Sequence, residues 1–134
     1  MKQAHTKGVH HIALKAQGKE AFDRMMHFYR DLLGMTVVRT WGEGDSSAAM
    51  LDTGDGSMLE LFANAPDTLG MGALRHLAFA TDDPDACIET VRAAGYTVTM
   101  EPRDIVIPSM PPYPARIAFC VGPVGEEIEF FCVQ

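Results

Sequence analysis

Cysteine and basic residues are both scarce in this chain of 134 residues. Its three cysteines, Cys87, Cys120 and Cys132, form no Cys-x-x-Cys pair, which favours reduced, buried thiols and disfavours a zinc site made of cysteines. The formal net charge of −7 argues against nucleic acid or an anionic membrane as the partner. A small-molecule partner remains, and local Arg and Lys side chains would suit an anionic one.

Long apolar runs are also missing. None approaches the ~20 residues of a membrane span, and the polar N-terminus lacks the apolar region of a signal peptide. The composition is otherwise that of a globular domain, with 47% hydrophobic and 22% charged residues. A chain of this length buries roughly two-thirds of the surface that it exposes when unfolded. We therefore expect a single cytoplasmic domain over residues 1–134.

A repeat dominates what the chain does contain. The first half opens a strand with His-Ile-Ala-Leu at His11 and closes one with Leu-Glu-Leu-Phe around Glu60. The second half opens with His-Leu-Ala-Phe at His76 and closes with Ile-Glu-Phe-Phe around Glu129. The intervals from His to Glu are similar, which predicts two copies of one supersecondary unit.

The periodicity predicts the order β-α-β-β-β in each half. An amphipathic helix from about Lys19 ends before Gly34, and a second, capped by Asp82 or Asp83, ends before Gly95. The modules cover about residues 8–64 and 73–134, joined by a linker over 64–72. The predicted strands are Val9–Ala16, Met35–Trp41, Ser47–Asp52, Met58–Phe62, Arg75–Thr81, Tyr96–Glu101, Ala115–Val121 and Glu126–Val133.

Residues 105–114 interrupt this pattern because they contain four prolines. Proline cannot donate to a strand ladder, so we expect an ordered irregular loop there. With helices segregated to one face of mostly antiparallel sheet, the fold class is α+β.

Strand alternation predicts which face each candidate residue takes. In the first strand Ile12 and Leu14 pack under the helix, which leaves His11 on the other face. The same alternation assigns three more side chains to the face away from the helices: Glu60, His76 and Glu129. Two imidazoles and two carboxylates suit Zn, Ni, Co, Mn or Fe(II), with open positions for water or substrate.

Each of these residues also has a plainer interpretation. A single histidine on a strand is commonly a surface residue, and a strand glutamate commonly faces water. His10 competes with His11, but alternation places it with the packed side chains. Glu127 shares the parity of Glu129 and has no counterpart in the first half. The matched positions in two repeats are what favour a metal site.

These motifs resemble the vicinal oxygen chelate superfamily, over about residues 8–133. It includes glyoxalase I, methylmalonyl-CoA epimerase, extradiol dioxygenases, and fosfomycin or bleomycin resistance proteins. The resemblance implies two tandem βαβββ modules in a curved, mostly antiparallel half-barrel sheet with helices on the outer face. It also implies one divalent metal per site, Zn or Ni first and Co, Mn or Fe as alternatives, on His11, Glu60, His76 and Glu129.

The presence of both glutamates implies chemistry without redox change. Glyoxalase I uses both, whereas iron dioxygenases and fosfomycin resistance enzymes of this superfamily use two histidines and one carboxylate. The resemblance thus implies a glyoxalase I-like lyase or isomerase that moves a proton beside a carbonyl of a small metabolite or thiol adduct. Glu129 would be the base, with Glu60 able to share the role. The alternatives are an acyl-CoA epimerase, an Fe(II) dioxygenase and a resistance protein that binds a drug or metabolite without catalysis.

Substrate contacts are less sharply indicated. Lys15 and Asn64 match positions where glyoxalase I holds the glutamyl moiety of glutathione, although Lys15 replaces an arginine. Arg75, Arg103 and Arg116 are further candidate anion contacts, with an exposed surface arginine as the default for each. Open sheet edges and the resemblance predict a homodimer. Whether each metal site forms within one chain or across two stays open at this point.

Overall fold

The structure, a computed structural model, describes residues 5–67 and 72–134. It confirms the α+β class and the tandem βαβββ order. The chain divides between residues 67 and 68 into two compact units, called unit one and unit two. Part of the predicted linker, residues 68–71, lies outside the described residues.

Unit one forms a four-stranded sheet with one helix. Its elements are β1 (His11–Lys15), α1 (Gly18–Met26), a π-helical continuation (His27–Leu32), β2 (Thr36–Trp41), a short 3-10 turn (Gly44–Ser46), β3 (Ala48–Asp52) and β4 (Met58–Phe62). The strand order is β1-β4-β3-β2, with β1 parallel to β4 and the other pairs antiparallel. Gly34 ends the helical segment as predicted, because its φ of 78° lies in the left-handed region.

Unit two repeats this arrangement. Its elements are β5 (Leu77–Ala80), α2 (Pro84–Ala93), β6 (Val98–Ile107), β7 (Tyr113–Val121) and β8 (Glu127–Val133), in the strand order β5-β8-β7-β6. Asp83 caps α2, since its carboxylate accepts the N–H of Ala86 at 3.0 Å. β5 is parallel to β8, and the other pairs are antiparallel.

The prediction of an irregular loop over residues 105–114 was wrong in extent. β6 continues to Ile107 and β7 begins at Tyr113, so only residues 108–112 form the loop between them. Pro114 pairs with Val106 inside this ladder. The strand accepts it because Pro114 still offers its carbonyl, which takes the N–H of Gln134 at 3.1 Å.

Each sheet buries one face under its own helix, and the other face is left for the candidate site. In unit one α1 lies against β4, where Leu59 and Leu61 are buried. In unit two α2 lies against β6, β7 and β8, where Ile128 is buried. The helices of the described residues are all too short or too polar to cross a membrane.

Candidate functional site

The cross-strand register of unit one places the first histidine and the first glutamate on the face away from α1. His11 pairs with Met58, and Ala13 pairs with Glu60 on the neighbouring strand. The Nε2 atom of His11 lies 3.4 Å from Oε1 of Glu60. The half-buried Glu60 and the exposed His11 therefore form one imidazole–carboxylate pair.

Unit two forms the corresponding pair. His76 directly precedes β5, and Ala78 pairs with Glu129 in β8. The Nε2 atom of His76 lies 3.2 Å from Oε1 of Glu129. Glu129 is buried, and its side chain is the more enclosed of the two glutamates.

The spacing in both pairs fits metal donors. The two N–O distances, 3.4 and 3.2 Å, exceed those of typical charge-assisted hydrogen bonds, which are roughly 2.7–2.9 Å. Bonds of about 2.1 Å to one divalent ion place neighbouring donors about 3.0–3.4 Å apart, for octahedral to tetrahedral angles. Among residues 5–67, and likewise among residues 72–134, no third His, Cys, Asp or Glu completes a metal-binding cluster with either pair.

The environment of Glu129 also shifts its acidity. Burial raises the pKa of the Glu129 carboxyl above its usual range, because removal of water disfavours the carboxylate. His76 acts in the opposite direction and Glu127 adds to the rise. A carboxyl with a raised pKa is better matched to taking up a proton near neutral pH.

His10 contacts His11 rather than Glu60. Their Nδ1 atoms share a hydrogen bond of 2.8 Å, and the rings meet edge to face at 5.1 Å. His10 precedes β1, so strand alternation does not govern its direction. The contact occupies Nδ1 of His11 and leaves Nε2 on the side of Glu60.

Of the predicted substrate contacts, Lys15 shares the face of Glu60. Lys15 pairs with Phe62, and its Nζ atom lies 5.5 Å from the centre of the Phe62 ring. Asn64 lies beyond β4, exposed, in an isolated bridge with Gln17.

The structure does not bring Arg116 to the face of Glu129. Arg116 pairs with Cys132 in the register, whereas Phe119 pairs with Glu129, so alternation sends Arg116 to the helix side. There it donates to both carboxylate oxygens of Asp85 at 2.7 and 2.9 Å, and to Asp104 at 3.2 Å. Its guanidinium thus joins α2 to β6, because Asp85 lies on the helix.

Arg75 is exposed immediately before His76. It forms no ion pair with any residue in the described ranges.

Three aromatic side chains on these faces, Trp41, Tyr113 and Phe119, were not among the residues predicted from the sequence. Trp41 contacts Phe62 in unit one, with ring centres 6.0 Å apart. In unit two Tyr113 stacks on Phe131 at 5.8 Å. Phe119 contacts His76 at 5.5 Å. Each contact depends on the register between strands, which no local sequence pattern supplies.

Comparisons with known proteins agree with this architecture. Residues 8–130 match the family described as the Glyoxalase/Bleomycin resistance protein/Dioxygenase superfamily. A lactoylglutathione lyase from Haemophilus influenzae is 37% identical over 115 residues, covering 81% of this chain and 82% of that protein. A probable lactoylglutathione lyase from Vibrio cholerae is 32% identical over 114 residues, covering 80% and 79%. A glyoxalase/dioxygenase from Nostoc punctiforme shares the fold, with a TM-score of 0.72 at 22% identity, covering 100% of this chain and 96% of that one.

Proposed function

The chain belongs to the Glyoxalase/Bleomycin resistance protein/Dioxygenase superfamily, and we propose from this premise that it is a glyoxalase I-like lyase. Its substrate would be the adduct of a small oxoaldehyde with a thiol, in which a proton moves between adjacent carbons. The observation that carries the proposal is the matched pair of imidazole and carboxylate in each unit. The names of the two bacterial relatives support the same reaction class.

We further propose that one divalent metal, with Zn or Ni first, is held by His11, Glu60, His76 and Glu129. Each unit supplies only two of the four donors, so a full set needs both pairs. Imidazole and carboxylate donors suit such ions and leave positions open. When bound, the ion supplies Lewis-acid stabilisation of the negative charge that develops on substrate oxygens.

The four side chains would then have different roles in the reaction. Glu129 takes the proton from one substrate carbon at a carboxylate oxygen and returns it to the neighbouring carbon. Its enclosed position supports this role, since burial raises the pKa of its carboxyl. Glu60, at the matched position in unit one, can share the transfer, while His11 and His76 remain donors to the ion.

Turnover of the methylglyoxal–glutathione hemithioacetal tests the proposal directly. The metal-loaded protein is expected to form the thioester product, and chelation is expected to abolish the reaction until a divalent ion is restored. The metal content of each sample is measured in parallel, so that an inactive protein without metal is distinguished from an inactive protein with metal bound. A fully loaded protein that turns over no hemithioacetal, with glutathione or another cellular thiol, contradicts the assignment.

We also propose a homodimer, and a mixing experiment then assigns the four donors to chains. His11→Ala and His76→Ala are each expected to be inactive alone. If donors from two chains make each site, mixed dimers regain activity because one site keeps all four donors. If each site forms within one chain, mixed dimers stay inactive because every site lacks one histidine.

A further inference from the structure

We propose that Arg39 and Arg103 are substrate contacts that bind carboxylate groups of the substrate, on the faces that carry Glu60 and Glu129. The inference rests on the proposed function for the identity of the substrate, and it adds two residues that would select an adduct bearing carboxylates. A guanidinium suits this task because its planar fork matches a carboxylate with two parallel hydrogen bonds.

A β-bulge in unit one turns Arg39 toward Glu60. Val37 pairs with Leu51, which faces α1, and the register then shifts so that Arg39 pairs with Met50. Residues two apart in a regular strand share a face, but the extra residue sends Arg39 to the opposite one. Met50 in turn pairs with Glu60, so Arg39 and Glu60 share a face.

Two register shifts in β6 of unit two turn Arg103 toward the face of Glu129. The first lies between Val98 and Met100, at the position that matches the bulge of β2. The second lies between Met100 and Arg103 and includes Pro102, a residue that bulges accept. Arg103 consequently pairs with Ile117, which pairs with Phe131 on the face of Glu129.

The charges on the two arginines are left without carboxylate partners among the described residues. Four other arginines have them, and these are Arg24 with Glu20, Arg30 with Asp31, Arg92 with Glu89 and Glu101, and Arg116 with Asp85 and Asp104. In a chain of net charge −7, carboxylates are abundant. Unpaired arginines turned onto the same faces as the glutamates therefore favour an external anion.

The spacing suits a small metabolite. Arg39, Met50 and Glu60 lie in one row across three neighbouring strands. Two strand spacings place the backbones of Arg39 and Glu60 about 10 Å apart. An anion held by Arg39 would thus lie one small-molecule length from the reacting carbons near Glu60.

Paired substrates test the inference. Hemithioacetals of methylglyoxal with glutathione, which bears carboxylates, and with uncharged 2-mercaptoethanol are compared in Arg39→Gln and Arg103→Gln. Loss of an ionic hydrogen bond is expected to raise KM for the glutathione adduct about tenfold to hundredfold, with kcat little changed. KM for the uncharged adduct is expected to stay within about threefold. Arg39→Lys should recover part of the loss because it keeps the charge.

Arg24→Gln is the matched control, since this arginine lies on α1 and pairs with Glu20. Calorimetric binding of S-methylglutathione, which cannot form the adduct, gives a readout independent of turnover. We expect both test variants to lose about tenfold or more in affinity and Arg24→Gln to bind like the wild type. Wild-type binding that the test variants weaken, without turnover of any hemithioacetal, leaves this inference standing and removes the proposed reaction. Equal affinity in wild type and test variants, or no binding to the wild type, overturns the inference.

Discussion

The two units carry the same pair of donor residues in different surroundings. His11 with Glu60 and His76 with Glu129 have nearly equal spacing, 3.4 and 3.2 Å. Both units also repeat the bulge in the strand that follows the helix. At that bulge, however, unit one presents Arg39 and unit two presents Met100.

The surroundings of the glutamates differ as well. The side chain of Glu129 is 11% exposed and that of Glu60 is 17% exposed. Unit two also has the longer hairpin, in which Tyr113 reaches Phe131. The repeated features are the proposed metal donors, and the features that differ lie on the same faces of the two sheets. The comparison therefore favours Glu129 of unit two as the proposed base, and at the shared bulge it predicts an anion contact in unit one alone.

The largest expected effect tests whether the two glutamates have unequal roles. Glu129→Gln removes the more enclosed base and is expected to lower kcat by about 10²–10⁴-fold with metal bound. Glu60→Gln is expected to lower kcat less, because Glu129 remains. Glu127→Gln is the matched control, since Glu127 lies on the same face of the same strand. Equal losses in Glu60→Gln and Glu129→Gln, measured at equal metal content, would show that the pseudo-symmetric positions act alike.

The next prediction separates two adjacent histidines in unit one. His11→Ala is expected to abolish stoichiometric metal binding, because Nε2 of His11 is one of the proposed donors. His10→Ala removes only the hydrogen bond that orients the ring, so metal affinity should fall by about 10–100-fold. Competition with a chromophoric chelator measures both affinities. Stoichiometric binding retained in His11→Ala and lost in His10→Ala would reverse the assignment.

The sequence predicted the faces of side chains correctly where the strands are regular. The alternation in β1, β4 and β8 has a fixed period of two, so it placed His11, Glu60 and Glu129 on the correct faces without a structure. Alternation alone could not have placed Arg39, because a bulge depends on pairing with β3, and the local sequence carries no sign of that pairing.

The prediction of an irregular loop over residues 105–114 was too long for a related reason. Four prolines excluded a regular strand on propensity, but Pro114 needs only its carbonyl at the end of the ladder, where Gln134 donates. Which bond a residue must make is decided by its neighbours on the next strand. The metal itself stays a prediction, because neither unit alone holds four donors.

A smaller effect concerns how unit two attaches its helix. The Arg116 guanidinium holds the pKa of the Asp85 carboxyl below its usual range through their hydrogen bonds. A lowered pKa in the folded state stabilises the fold above the unfolded value of about 3.9, and that contribution is lost as pH falls through the folded value.

Asp85→Asn is therefore expected to lower the thermal midpoint modestly at pH 7, and the gap from wild type should close as the solution becomes strongly acidic. Asp82→Asn, ahead of the same helix, is the control. A gap that persists unchanged in acid would show that charge pairing is not its cause.

The smallest expected difference is between the unfolding midpoints of the two units. The single tryptophan, Trp41, lies in unit one, whereas all three cysteines lie in unit two. Burial raises the pKa of the Cys120 thiol to about 12, so this fully buried side chain should resist alkylation while unit two is folded. In a Cys87→Ser, Cys132→Ser background, its reaction then reports the opening of unit two alone.

If residues 1–134 form one cooperative domain, Trp41 fluorescence and rapid alkylation of Cys120 will change at the same denaturant concentration. The proposed metal site argues for this result, because one ion bound by all four donors would stabilise both units against unfolding. Adding the metal should then shift both transitions together. Separate midpoints that the metal moves only in one unit would mean that a single pair is sufficient for binding, and the symmetry of the two pairs would not extend to function.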